Sequence, residues 1–243
     1  MALELFDLKS NGTEFGFFDR NEIYFSWKTR RDQPNGRQAA WQVRAAGNST
    51  ELESGPYLWD SGWVESDQSV EVPYAGAPLI SRQCVVWQVR IRDTGGNQSD
   101  WSKPARFETA FLEQSDWSAQ WIQMPRLPED KSVPAPFFRK SFKLSEQPVS
   151  ARLYVAALGD GEFYLNGTRV GNDYFSPGWT DFSKRIQYLT YDVSTLLQDG
   201  ENAIGVILGD GWYSGRISWK NMHHFYGTEP RLRLQLEVRM QDG

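Results

Sequence analysis

The chain has 243 residues, long enough for one large all-β domain or two of ordinary size, and for a core that needs no disulfide. A net charge of −5, with basic residues only in scattered pairs such as Arg30-Arg31 and Lys184-Arg185, argues against a nucleic-acid partner. The one cysteine, Cys84, allows no intramolecular bridge and is expected as a buried, inert thiol in the apolar run Cys84–Trp87.

From the amino end, Met1–Phe6 shows neither a basic n-region nor a long apolar h-region, and no stretch reaches the length of a membrane span. The expectation is therefore a cytoplasmic protein with no membrane partner, although a removed leader would leave the same sequence. Trp41, Val43 and Ala45 alternate with Gln42 and Arg44, and Trp87, Val89 and Ile91 alternate with Gln88 and Arg90. Period two of this kind puts one face on a core and the other in water, as in antiparallel sheets. The tetrapeptide Trp-Gln-Val-Arg occurs at 41–44 and again at 87–90, but the flanks differ, so the two copies read as strands of one sandwich.

Further along, Pro125, Pro128, Pro134 and Pro136 crowd a segment that cannot donate to a ladder, which marks a linker or an irregular crossing strand over 113–136. Asn166-Gly167 between Phe163–Leu165 and Thr168–Val170 is a type I′ hairpin signal. Asp199-Gly200 closes a second connection, and Asp192–Leu197 reads as a single capped helical turn. Leu232, Leu234, Leu236, Val238 and Met240 alternate with Arg233, Gln235, Glu237 and Arg239. This last strand runs into Asp242-Gly243 with no returning strand. The expectation is a second domain truncated at its carboxyl end, with an open sheet edge available for self-association. The fold class is all-β: two antiparallel β-sandwich domains, 1–112 and 137–243.

Two resemblances carry this further. Phe25-Ser26-Trp27, Val86–Arg90 and the exit Asp100-Trp101-Ser102-Lys103-Pro104-Ala105-Arg106-Phe107 resemble a fibronectin type III sandwich. The second domain resembles the galactose-binding-like jelly-roll sandwich found beside many glycoside hydrolases. The series Ala151–Val155, Gly161–Gly167, Arg169–Gly171, Pro177–Phe182, Tyr188–Val193, Gly200–Gly205 and Gly209–Arg216 is similar to the amino-terminal domain of bacterial α-L-rhamnosidases, glycoside hydrolase family seventy-eight. With the first domain and the Trp117…Trp121-Ile122 junction, the likeness covers essentially the whole chain. It implies that the catalytic carboxylates belong to a downstream (α/α)₆ barrel of the same polypeptide, an inverting enzyme that removes terminal α-L-rhamnose. The extra rhamnose-binding sandwich that some relatives insert after the junction has no room in the short bridge from Ile122 to Pro136.

No catalytic residue is expected here. An inverting glycosidase needs two carboxyls about 6.5–9.5 Å apart. Of the tempting acids, Asp210 follows a strand of the accessory domain, and Glu162 alternates opposite Phe163 as a solvated strand residue. His223-His224, the only histidines, point to opposite faces of any strand and make no metal set, so neither metal nor cofactor is expected. The sequons at Asn11, Asn48, Asn97 and Asn166 read as turn residues.

The unusual stretch is Gly209–Arg216. Asp210, Trp212, Tyr213 and Arg216, together with Trp179 and Asp181, are the candidate contact residues, for the missing barrel or for a sugar. Core turn and docking loop weigh equally on sequence, and docking is favoured because Trp, Tyr and Arg dominate contact surfaces. A carbohydrate-binding module that holds rhamnosyl glycans weakly is the alternative reading of the whole chain.

Overall fold

The structure, a computed structural model, describes residues 3–31, 37–125, 134–220 and 222–241. Asp242-Gly243 and most of the proline-rich bridge lie outside the described residues. The chain divides into two compact units, Met1–Asp116 and Trp117–Gly243.

The first unit is built from β1 (Leu3–Ser10), β2 (Phe17–Phe18), β3 (Tyr24–Arg31), β4 (Gln38–Ala46), α1 (Ser49–Ser54), β5 (Trp59–Asp60), β6 (Val64–Glu65), β7 (Val72–Pro73), β8 (Cys84–Asp93) and β9 (Ala105–Thr109). One sheet runs β1-β3-β7 and the other β2-β9-β8-β4-β5, with β6 also on β4. Between them lies an aromatic core in which Phe25 stacks on Trp87 with ring centres 4.1 Å apart, beside Trp27, Trp41 and Phe107. The buried indoles of Trp27 and Trp87 donate to Gln38 Oε1 and Ser10 Oγ, so their polar edges are not stranded.

The two Trp-Gln-Val-Arg copies pair with each other. In the antiparallel β4–β8 register Gln42 faces Arg90, Val43 faces Val89 and Arg44 faces Gln88. Their valines enter the core while their arginines go outward and interleave with aromatics. Arg44 stacks on Tyr57 and Trp101, and Arg90 on Trp101 and Trp63. Each such contact is worth about 0.5–1 kcal/mol at an exposed site. One expectation is corrected here. Cys84 is half-buried beside the satellite cluster of Ala46, Leu52 and Val86, because β8 begins there before reaching the core. The polar run after Gly47 forms α1, capped by Asn48 through the Glu51 N–H, a turn that period-two reading overlooks.

The second unit contains β10 (Phe137–Leu144), β11 (Ser150–Leu158), β12 (Asp160–Leu165), β13 (Thr168–Arg169), β14 (Tyr188–Asp192), β15 (Gly200–Gly209), α2 (Gly211–Ser214) and β16 (Arg231–Arg239). A four-stranded sheet β10-β15-β12-β13 faces a three-stranded sheet β14-β11-β16 across a core that includes Leu153, Val155, Phe163, Leu165, Val206, Leu208 and Leu232. The β12–β13 hairpin turns at Asn166 (φ 51°) and Gly167 (φ 82°), the two left-handed residues a type I′ turn requires. Asn166 also donates to Leu196 O and Asn202 Oδ1 and accepts from the Ala203 N–H, which ties the turn to the start of β15.

The segment expected as a linker or irregular crossing strand divides between the two units. Asp116 belongs to the first unit, where its carboxylate accepts from Ser81, Arg82 and the Glu113 N–H. Trp117–Ile122 belongs to the second, laid over the outer face of the three-stranded sheet. Gln235 Oε1 accepts the N–H groups of Ser118 and Ala119, Arg233 stacks under Trp117, and Ile122 exchanges two backbone bonds with Leu232. Tyr154 and Ala156, which point away from the core between the sheets, are buried as well. The face of β16 expected in water is therefore partly closed, and Gln235 is buried.

Candidate functional site

The site forms at one end of the second unit, where the segments after β13 and after β15 meet. Gly209 ends β15, Asp210 turns the chain, and α2 carries Trp212 and Tyr213 to different aromatic neighbours. Trp212 lies parallel to Trp179, with ring planes 1° apart and centres 6.3 Å apart, while Phe175 meets it edge-on at 6.0 Å. Tyr213 packs instead on Phe182, which also meets Tyr226. Trp212 and Tyr213 are half-buried, whereas Phe175, Trp179 and Phe225 are largely exposed. The result is an aromatic shelf with one side on the sandwich and the other in solvent.

Local bonds fix the loop that supplies Phe175 and Trp179. Phe175 adopts φ 54°, a conformation that strains a bulky residue, and the loop is clamped around it by the Gly161 N–H donating to Ser176 O at 2.7 Å. Tyr191 donates to Asp173 at 2.9 Å, and burial together with this carboxylate pushes its phenol well above the usual range. Arg169 donates to backbone oxygens of Gly171 and Asp173 and stacks on Tyr174.

The sequence-expected residues separate into two groups. Trp179, Trp212 and Tyr213 join the aromatic end. Asp181 instead closes its own turn, bound by Ser183 and Lys184, which hold its carboxyl below the ordinary range. Asp210 accepts the Ser214 hydroxyl at 3.3 Å, and Arg216 stands exposed. Trp212 is half-buried within the shelf. Glu162 is not simply solvated: the Tyr164 hydroxyl donates to it at 2.7 Å.

Sequence reasoning missed Phe175, Phe182 and Tyr226, whose separation along the chain conceals their convergence. It also missed Asp160, whose Oδ1 is buried without a partner among the described residues. Burial raises its pKa. Among the described residues no three histidine, cysteine or acidic side chains gather as a metal site would require.

Two β-sandwich units, the second with an exposed aromatic shelf at one end, define an all-β chain of paired sandwich domains. Comparison with known proteins makes the assignment particular. Residues 146–243 match the family described as "Alpha-L-rhamnosidase N-terminal domain", and residues 11–113 match "Rha78A-like, N-terminal immunoglobulin domain". The chain carries the N-terminal domain pair of the α-L-rhamnosidase family.

An α-L-rhamnosidase of Formosa agariphila is 39% identical over 235 residues, covering 94% of this chain and 25% of its own length. One from an Alteromonas strain is 37% identical, with 90% and 25% covered. Among solved structures, the α-L-rhamnosidase of Streptomyces avermitilis complexed with L-rhamnose matches with a TM-score of 0.91 at 25% identity, over all of this chain and 40% of that one. That of Dictyoglumus thermophilum matches at 0.88 and 35% identity, over 98% and 28%. The chain spans about a quarter of the length of the first curated relatives it matches. The Streptomyces avermitilis sequence aligns over 385 positions, so it carries over a hundred positions with no counterpart in these 243.

Proposed function

We propose that this region serves an α-L-rhamnosidase as its non-catalytic front end, and that it docks the catalytic barrel of the same polypeptide through the aromatic shelf. The observation that carries the docking reading is the exposure of Trp179 and Phe175 around a half-buried Trp212. Contiguous apolar surface of this kind marks contact sites, and an aromatic anchor can be worth more than about 2 kcal/mol at an interface. The matching relatives extend far beyond the length of this chain, which supplies a partner for the surface. The test is Trp179→Ala in the longer polypeptide. Docking predicts a lower melting temperature and weaker turnover on an aryl α-L-rhamnoside, with little change in the melt of the present chain alone.

A second reading uses the same exposed indole as a platform for a sugar ring, since aromatic faces present a flat apolar surface. Quenching or a shift of tryptophan fluorescence by L-rhamnose, lost in Trp179→Ala, would favour it over docking. Self-association through β16 is a separate proposal. Among the described residues its outer edge is bridged only at Leu232, by Ile122, and an open edge can accept another strand. Sedimentation showing a strictly monomeric chain would remove it.

A further inference from the structure

We propose that Asp160 is a pH-operated latch on the aromatic shelf: with its carboxyl neutral, Gly211 packs on it and holds Trp212 against Trp179, and ionisation releases that contact. The use of the latch rests on the docking reading; the latch itself is a property of this chain.

The geometry places one dipeptide at the junction of both shelf segments. Asp160 opens β12 opposite Gly209, the last residue of β15, and alternates with Gly161, Phe163 and Leu165, which are buried. The Gly161 N–H holds Ser176 O, immediately after Phe175. Asp160 itself lies under Gly211, immediately before Trp212. A Cβ at Gly211 would fall 2.8 Å from both the Asp160 carboxyl carbon and its backbone nitrogen, so the glycine backbone rests directly on the acid. Gly211 has φ 50°, which a side chain would strain further.

Among the described residues no ion pair to Asp160 offsets this burial. On β12, Glu162 takes the Tyr164 hydroxyl; beyond β15, Asp210 takes that of Ser214. In the loop after β13, Asp173 accepts from Tyr191, and Lys184 pairs with Asp181. Arg231 of β16 is exposed, in register with Leu158. Burial is the one cause that raises the Asp160 pKa. Ionisation would charge a carboxyl whose Oδ1 is shut from solvent and unpaired against Gly211, and a lift of Gly211, which carries Trp212 with it, lets water reach that oxygen. With the folded-state pKa raised, the stabilisation is fully present below the unfolded Asp value and is lost as pH rises through the folded one. The shelf is tight in mild acid and looser towards neutrality.

The test follows the carboxyl carbon of Asp160 and the indole N–H signals of Trp179 and Trp212 by NMR on the whole chain, from about pH 3 to 8. The expected result is that Asp160 titrates above the ordinary value of about 3.9 and that both indoles shift with the same midpoint. In Asp160→Asn the indole signals should stay at their acid positions throughout. Indoles that remain flat in the wild type, an Asp160 midpoint at the ordinary value, or indole titration unchanged in Asp160→Asn would each overturn the latch. The wild-type titration decides even if the variant fails to fold. A coupled titration in this chain, alongside a longer enzyme indifferent to Trp179→Ala, would keep the latch and discard docking.

Discussion

The indoles of Trp179 and Trp212 lie parallel within 1°, yet Trp179 keeps 57% of its surface in solvent. A stacked pair that is half in water contributes less to the sandwich than a core tryptophan and leaves surface for a partner. Trp212→Ala should therefore cost the chain about 1–2 kcal/mol, the scale of an aromatic pair plus partial burial. Trp87→Ala, fully buried against Phe25, should cost about 3–5 kcal/mol in the first unit. Denaturant unfolding of both variants checks the ordering, and equal losses would make Trp212 a core residue.

Gln235 pins the Trp117–Ile122 strap to β16. Its oxygen accepts from both Ser118 and Ala119, and its amide donates to Glu237 at 2.7 Å. Gln235→Leu keeps the volume and strands those backbone donors, so a loss of about 1–3 kcal/mol is expected. Hydrogen exchange at Ser118 and Ala119 should accelerate in the variant. Unchanged protection there would mean that Arg233 and Ile122 suffice to hold the strap.

Asp116 and Asp160 should respond oppositely to acid. Burial alone would raise Asp116, but Ser81, the Glu113 N–H and Arg82 outweigh it and hold its carboxyl below the ordinary range. Its contribution is present above the unfolded Asp value of about 3.9 and fades as pH falls through the lower folded value. Asp160 has the reverse sign. Asp116→Asn should flatten the acid loss of the first unit, and Asp160→Asn the loss of the second towards neutral pH. Thermal melts across the acid range, with near-ultraviolet signals from each unit, read both.

Asn166 illustrates what a turn signal leaves unsaid. Asn166→Gly keeps the left-handed backbone and removes three side-chain bonds, whereas Asn166→Ala loses the bonds and adds strain. Both should destabilise the second unit, alanine more, by roughly another 1 kcal/mol. Chemical denaturation that ranks glycine as the worse replacement would contradict the type I′ assignment.

The period-two strands, the Asn166-Gly167 hairpin and the family resemblance were all legible in the sequence, because each rests on residues close together in the chain. The pairing of the two Trp-Gln-Val-Arg copies was legible only as shared membership of one sandwich, since register depends on the β4–β8 connection. The cover on β16 was hidden: alternation marks Gln235 as outward, but not that Ser118 and Ala119 come to meet it. At the shelf, Trp212 and Trp179 stood out by residue type. Phe175 and Asp160 did not, because their roles arise from the contact of loops distant in sequence. Asp160 in particular reads as an ordinary acid after a glycine until Gly211 is seen above it.

The central claim is that these two domains carry no rhamnosidase chemistry of their own. Incubating the purified chain with an aryl α-L-rhamnoside tests it directly. The account predicts no release above buffer at any pH. Turnover that survives repurification and disappears with a substitution inside these 243 residues would contradict it.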